Sequence, residues 1–316
     1  MPAHNEERHI ELLVGEIRSA LPDNPTTIIV IDDGSTDTTC QVLRSLRRRD
    51  PDFHYISFSR NFGKDAALMA GILASPEVDA LITMDGDGQH SPADLSRLIL
   101  AAERDNADLV IGIRTDRNYQ TKLHRLSSEF FYKVFNLVSE VPIPNGLGDF
   151  NLFRPPAISA MRQVQERHLF LKGLIAWIGF NPTMIQCQIR PRRSGKGKFS
   201  LLHLIRLTAD GILSFGSWRL LIWFFVGISI SMGAFLYLFV ILVERLTAEA
   251  VVPGYASLMI VILGLGGFQL LALGILGSYL ARTLSESKSR PRFIVRESSL
   301  DSRVSIPESA AQKEVL

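Results

Sequence analysis

Two carboxylates one residue apart end an apolar run. Val78 to Met84 leads into Asp85-Gly86-Asp87-Gly88-Gln89-His90. The run reads as a buried strand and the polar residues as the loop at its carboxyl end. In open α/β sheets ligands bind at that edge. Two close carboxylates with a carboxamide make an oxygen-rich site. Such a site suits Mg²⁺ or Mn²⁺ and leaves coordination positions open for substrate phosphates. The plainer reading of the same residues is an Asx-Gly turn capping the strand.

Three other groups carry chemistry. Asp32 and Asp33 follow the apolar stretch Thr27 to Ile31. They could accept hydrogen bonds from a base or ribose, or serve as an N-cap and turn. Lys64 follows Gly63 at a helix start and could meet a phosphate; the alternative is a solvated lysine. Asp149 sits between glycines and the strand-like Phe150 to Phe153, a candidate site acid. A fourth feature is the loop Arg190 to Ser200, with five basic residues and two glycines. It reads as an anion-binding loop. Charge alone allows nucleic acid, but the apolar segment that follows favours lipid headgroups or a lipid phosphate.

The elements that must position these residues alternate. Strands are expected at 27–31, 53–58, 78–84 and 108–113, with helices between them. The first helix is expected from Glu6, with Ile10, Leu13, Val14, Ile17 and Leu21 on one face. Strands alternating with helices imply a mostly parallel α/β sheet with helices on both faces. Asp32-Asp33, Arg60 to Lys64, Asp85 to Gln89 and Arg114 then gather at one edge and outline one crevice.

The second half differs. Hydrophobic residues make up 47% of the chain, and they concentrate in Leu220–Val243, 24 residues without a charge, and Tyr255–Ala281, 27 without one. Each exceeds the roughly 20 residues that cross a hydrocarbon core. A short polar turn joins them, so the pair reads as a membrane hairpin. Basic residues flank both outer ends and Arg245 alone lies in the turn, which places the ends in the cytoplasm. The net charge of +2 excludes no partner by itself. Cys40 and Cys187 show neither a disulfide framework nor a metal spacing, and fit a reducing compartment.

Taken together the motifs resemble glycosyltransferase family 2, in the polyprenyl-phosphate subgroup. The matching pieces are Pro2-Ala3-His4-Asn5-Glu6-Glu7, Val30 to Asp37, Ser59 to Lys64, Asp85 to His90, Gly148-Asp149-Phe150 and the basic loop ending Lys198-Phe199-Ser200. The resemblance implies a GT-A fold, Rossmann-like, followed by interfacial helices and the transmembrane hairpin. The implied divisions are a cytoplasmic catalytic domain at 1–198, an interfacial helix at 199–217, the hairpin at 218–282 and a tail at 283–316. The tail holds a short strand near 292–296, placed to join a neighbouring subunit's sheet edge, and a disordered end. The family has a strand before Pro-Ala-x-Asn-Glu-Glu that is expected to be absent here.

By the same resemblance Pro2, Ala3, Asn5, Glu6, Asp32, Asp33, Lys64, Asp85 and Gly86 hold the nucleotide-sugar donor. Asp85, Asp87 and Gln89 hold Mg²⁺ or Mn²⁺. Asp87 and Asp149 are the catalytic pair. Arg114, Arg125 and Ser128, with Arg193, Lys196 and Lys198, meet the acceptor phosphate. The implied reaction is inverting transfer of a sugar, glucose from UDP-glucose first, to polyprenyl phosphate at the cytoplasmic face of the inner (plasma) membrane. GDP-mannose and a UDP-aminosugar are the alternative donors. The expected partners are the donor, the lipid acceptor, the bilayer and a homo-oligomer, with a tetramer built through the C-terminal strand; no nucleic acid is expected. A processive polysaccharide synthase would carry Gln-x-x-Arg-Trp before its spans, and the sequence has none. A catalytically impaired membrane scaffold is the rival from another class.

Overall fold

A computed structural model describes residues 1–114, 147–166, 169–180, 182–187, 254–288 and 290–300. The first half alternates as its periodicity demands. The order is β1 (Pro2–Ala3), α1 (Ile10–Ala20), β2 (Ile28–Asp32), α2 (Thr39–Arg49), β3 (Phe53–Phe58), α3 (Lys64–Ala74), β4 (Leu81–Thr83), α4 (Ala93–Arg104) and β5 (Leu109–Arg114). Then follow β6 (Leu147–Phe153), α5 (Pro155–Gln163), α6 (Leu171–Trp177), β7 (Thr183–Cys187), α7 (Tyr255–Ser287) and β8 (Val295–Ser298).

The strands form two four-stranded sheets, in the orders β1-β2-β3-β8 and β4-β6-β5-β7. Pairing is parallel for β1–β2, β2–β3 and β5–β7. It is antiparallel for β3–β8, β4–β6 and β5–β6. The sheet is therefore mixed rather than mostly parallel. The reason is that β6 and β8 do not enter through right-handed crossover helices as the early strands do. One inserts between β4 and β5, and the other adds to an outer edge.

Helices cover both faces, as expected. Along β2 successive side chains point to opposite sides. Val30 joins a core with Leu13, Ile17, Leu43, Phe53 and Phe150. Ile31 faces the other way, against Ala67, Ala70, Phe58 and Phe293. Ile10, Leu13, Val14 and Ile17 of α1 are buried at the helical spacing read from the sequence. The helix itself starts at Ile10, because the Glu6 carbonyl accepts the amides of both His9 and Ile10 in a preceding turn. Phe53, Phe58, Phe150 and Phe153 are among the largest fully buried side chains. Truncating any one to Ala costs ~3–5 kcal/mol. Cys40 and Cys187 are buried in the core and are not joined in a disulfide. Burial pushes the Cys187 thiol up to about 11.

Three further features add to the reading of the sequence. The motif Pro2-Ala3 is itself a short strand, in register with Ile31 and Asp32. The expected tail strand lies at Val295–Ser298 and pairs with β3 of the same chain. Pairing continues past Glu297, since the Ser299 amide donates to the Tyr55 carbonyl at 2.9 Å. The chain divides into two compact units, Met1–Ser214 with Ser289–Leu316, and Phe215–Lys288. In the second unit α7 contains the whole uncharged segment Tyr255–Ala281. The first apolar segment and the interfacial helix fall outside the described residues. Among the described residues no helix is long and apolar enough to cross a membrane.

Candidate active site

Strand ends and the loops beyond them build the site. β4 stops at Thr83, and Met84-Asp85-Gly86-Asp87 turns away at its carboxyl end. The turn passes so close to β1 that a Cβ on Gly86 would stand 2.5 Å from the Pro2 carbonyl oxygen. Only glycine fits there. Gly88, at φ 70°, takes the left-handed conformation that completes the turn. Asp87 Oδ1 accepts the Gln89 amide at 3.1 Å. The Asx-turn reading of this loop is thus present in the geometry.

Asp149 reaches the same place from β6. The antiparallel register pairs Leu81 with Phe153, Ile82 with Leu152 and Thr83 with Asn151. Continued by two residues, it sets Asp149 opposite Asp85. Thr83 Oγ1 pins the turn by donating to the Asp149 carbonyl at 2.8 Å. Both carboxylates are largely buried. Lys64, the first residue of α3, spans them, with Nζ 2.6 Å from Asp85 Oδ1 and 2.5 Å from Asp149 Oδ2. Burial alone would lower the lysine's pKa, but Asp149 and Asp85 outweigh it and hold the ammonium well above its ordinary value. Asp65, its neighbour, is pushed up to about 6 by burial and then by the Asp149 charge.

The other wall is β1 and the loop after β2. Parallel pairing sets Ala3 beside Asp32, and the Asp33 amide donates to the Ala3 carbonyl at 2.9 Å. Asp33 accepts the amides of Phe62 at 2.7 Å and Gly63 at 3.0 Å, which ties the loop after β3 to the loop after β2. Gly34 permits that approach, since its Cβ would lie 2.3 Å from the Arg60 carbonyl carbon. His4 Nδ1 donates to the Asp33 carbonyl at 2.9 Å. Asn5, at φ 58°, receives and returns bonds from the same loop: its amide donates to Ser35 Oγ, and its Oδ1 accepts the Thr36 amide, both at 2.9 Å.

These walls enclose a cavity of about 310 Å³ lined by Pro2, Ala3, His4, Glu6, Asp33, Asn61, Gly63, Lys64, Asp85, Gly86 and Asp87. Eight residues singled out from the sequence meet here: Pro2, Ala3, Glu6, Asp33, Lys64, Asp85, Gly86 and Asp87. Asn5 and Asp32 stand behind the wall and shape it, Asp149 stands behind Lys64, and Gln89 is not in the lining. The backbone of Arg114 ends β5. Arg125, Ser128, Arg193, Lys196 and Lys198 lie outside the described residues. Sequence reasoning missed His4, Asn61, Asp65 and Arg296. His4 sat inside a motif already quoted, and Asn61 within a strand-end loop already read as part of the crevice. No local signal marked the other two.

The donor set fits a divalent cation. Asp85 Oδ1 is buried and, beyond its ion contact with Lys64, makes no hydrogen bond. Asp87 is its neighbour across one glycine. Among the described residues no group of three or more His, Cys, Asp or Glu could hold a metal ion. Two carboxylates alone suit a cation that completes its shell with water and substrate phosphate.

The profile of Glycosyl transferase family 2 matches residues 1–163. An uncharacterized glycosyltransferase of Synechocystis is 36% identical over 299 residues, covering 94% of this chain and 93% of that protein. The bactoprenol glucosyl transferase of Shigella phage SfX is 34% identical over 298 residues, covering 94% and 97%. A solved structure of a mannosyltransferase from Pyrobaculum calidifontis aligns with 91% of this chain and 84% of its own at 14% identity and a TM-score of 0.44, too loose a likeness to build on. The family match over just more than half of the chain, and the relatives that run nearly its full length, agree with the strand-end chemistry: the chain belongs to glycosyl transferase family 2 and is a glycosyltransferase.

Proposed function

We propose that the chain moves glucose from UDP-glucose to polyprenyl phosphate at the cytoplasmic face of a membrane. One observation carries the reading: Asp85, Asp87 and Lys64 line one cavity, and Asp149 pairs with Lys64 from behind it. Such a cavity suits a nucleoside diphosphate-sugar. The choice of acceptor and sugar draws support from the bactoprenol glucosyl transferases that match 94% of the chain. The membrane anchor draws support from the sequence, in which Leu220–Val243 and Tyr255–Ala281 run 24 and 27 residues without a charge. Each exceeds the roughly 20 residues that cross a hydrocarbon core. Leu258, Ile262, Leu273, Leu276 and Leu280 on α7 are exposed in the isolated chain. Leu220–Val243, the other uncharged apolar segment, lies outside the described residues.

In the reaction an acceptor phosphate oxygen forms a bond to the anomeric carbon while the bond from that carbon to the diphosphate breaks, with inversion. A phosphate is anionic at neutral pH, so no strong base is needed. A divalent cation held by Asp85 and Asp87 would neutralise the charge on the departing diphosphate. Lys64 stands at the mouth of the same pocket and offers its ammonium to that charge. Asp149 aims Lys64. Gly86 and Gly88 let the loop that carries both carboxylates turn closely against β1.

The test is transfer of radiolabelled sugar to undecaprenyl phosphate in membranes holding the chain, with UDP-glucose, GDP-mannose and UDP-N-acetylglucosamine compared. Lipid-linked glucose is the expected product. Faster transfer from another donor overturns the glucose assignment. No transfer from any donor, together with no calorimetric binding of UDP-glucose in Mn²⁺, points to the scaffold.

A further inference from the structure

The strand that follows the long apolar helix reaches a carboxylate behind the cavity wall. β8 pairs with β3 through Ile56 with Ser298 and Ser57 with Glu297, then shifts so that Phe58 pairs with Val295. One step along β3 matches two along β8, so Arg296 is the extra residue of a β-bulge. Bulges re-aim side chains. Here the re-aimed guanidinium donates to Ser57 Oγ at 2.9 Å and lies 3.8 Å from Asp32 Oδ2. Ser57 Oγ in turn donates to Asp32 Oδ2 at 2.6 Å.

Asp32 is fully buried. A buried carboxylate needs both hydrogen bonds and a counter-charge. Its Oδ1 accepts the Ser35 amide at 2.9 Å, and Ser35 Oγ accepts the Asn5 amide. A continuous chain therefore runs from Arg296 through Ser57, Asp32 and Ser35 to Asn5, at the wall of the cavity. Arg296 is half-exposed and does not line that cavity. Its reach ends on the carboxylate behind it.

We propose that Arg296 is a positioning residue of the nucleotide pocket: through Ser57 it holds the Asp32 carboxylate and with it the loop Gly34-Ser35-Thr36. This rests on reading the crevice as a nucleotide pocket. The C-terminal strand is then part of the donor site, and the chain beyond α7 must be docked on β3 for the pocket to take its shape.

Two measurements on the full-length protein in detergent test this. One is hydrogen exchange at the Ser35 and Thr36 amides; the other is calorimetric binding of UDP with Mn²⁺, together with KM and kcat for UDP-glucose. Arg296→Met should speed exchange at both amides and raise the UDP Kd about tenfold, the loss of one charge-assisted contact, while kcat stays within about twofold. Arg296→Lys should recover part of both. Arg44→Gln is the control. It cuts the opposite tie of β8, the pair between Arg44 and Glu297, without touching Asp32. Equal losses in Arg44→Gln and Arg296→Met would reduce Arg296 to an anchor of the strand and overturn the proposal. Unchanged exchange and Kd in Arg296→Met would overturn it as well. Wild-type protein that binds no UDP removes the pocket reading, and the exchange rates still decide whether Arg296 holds Asp32.

Discussion

Asp85 and Asp149 converge on one ammonium. Lys64 Nζ stands 2.6 Å from a carboxylate oxygen of the first and 2.5 Å from one of the second. The two acids come from different strands, β4 and β6, and their like charges are tolerable only with that cation between them. The cluster is poised for substrate. On the proposed function, a bound diphosphate would compete with both carboxylates for Lys64, and a divalent cation would compete with Lys64 for Asp85.

Replacing Lys64 by Met should therefore cost activity and stability together. Loss of a preorganised cation at a developing charge is worth about 10²–10³ in kcat. The uncompensated pair should also lower the melting temperature, measured by calorimetry without added metal. Lys64→Met that melts like the wild type would show that the two carboxylates do not need it.

Asp87→Ala should raise the Mn²⁺ concentration for half-maximal transfer by about tenfold or more, since one of only two carboxylate ligands is gone. Asp149→Asn should leave that concentration nearly unchanged and lower turnover instead. The readout is a metal titration of initial rates. Equal metal dependence in Asp87→Ala and the wild type would remove Asp87 from the metal site.

Gly86→Ala forces a methyl against the Pro2 carbonyl oxygen, 2.5 Å away. Backbone must move, so the loop and β1 part. A cost of about 1–3 kcal/mol and near-complete loss of donor binding are expected. Gly15→Ala is the matched control, on α1 where nothing lies within 4 Å of the added carbon. That change should stabilise by about 0.5–1 kcal/mol, as Gly→Ala does within a helix.

Acid should peel β8 from the sheet. The Arg44 and Tyr55 hydrogen bonds hold the Glu297 carboxyl down at about 2, against 4.5 in the unfolded chain. A depressed carboxyl stabilises the fold above its unfolded pKa, and that share is lost as the pH falls from 4.5 to about 2. Tyr55 is pushed up to about 12 by burial and by Glu297. Amide exchange at Tyr55 and Ser57 across that acid range should rise before the core opens. In Glu297→Gln the early opening should be present at every pH.

Asp65 works in the opposite sense. Its carboxyl is raised from 3.8 to about 6, so the folded chain prefers it neutral. That contribution is full below pH 3.8 and is lost as the pH rises to about 6. Asp65→Asn should then stabilise the protein at pH 8 by roughly 1–2 kcal/mol, a figure reduced for its partial exposure. Urea unfolding at pH 5 and pH 8 checks it, with the larger gain expected at pH 8.

Most of the cavity could be read along the chain because its residues are strand-end residues. Asp33, Lys64, Asp85 and Asp87 each follow an apolar stretch, and parallel strands joined by helices bring such ends to one edge. Gly34 and Gly86 could be read as turn residues for the same reason. The alternation did not show that β6 runs antiparallel, that β8 returns to its own sheet, or that α5 and α6 lie between them. Periodicity states that a segment is a strand; it is silent on which neighbour that strand takes.

By itself, then, the sequence determined the local elements and the chemistry at their ends, since spacing and turn residues act over a few positions. Only the tertiary structure decided which acids share Lys64 and which cation backs Asp32. Asp149 meets Asp85 through the register of β6 on β4. Arg296 meets Asp32 through one bulged residue of β8 on β3. Pairings between distant strands are set by the burial of whole faces, and a shift of one residue in either would point these side chains elsewhere.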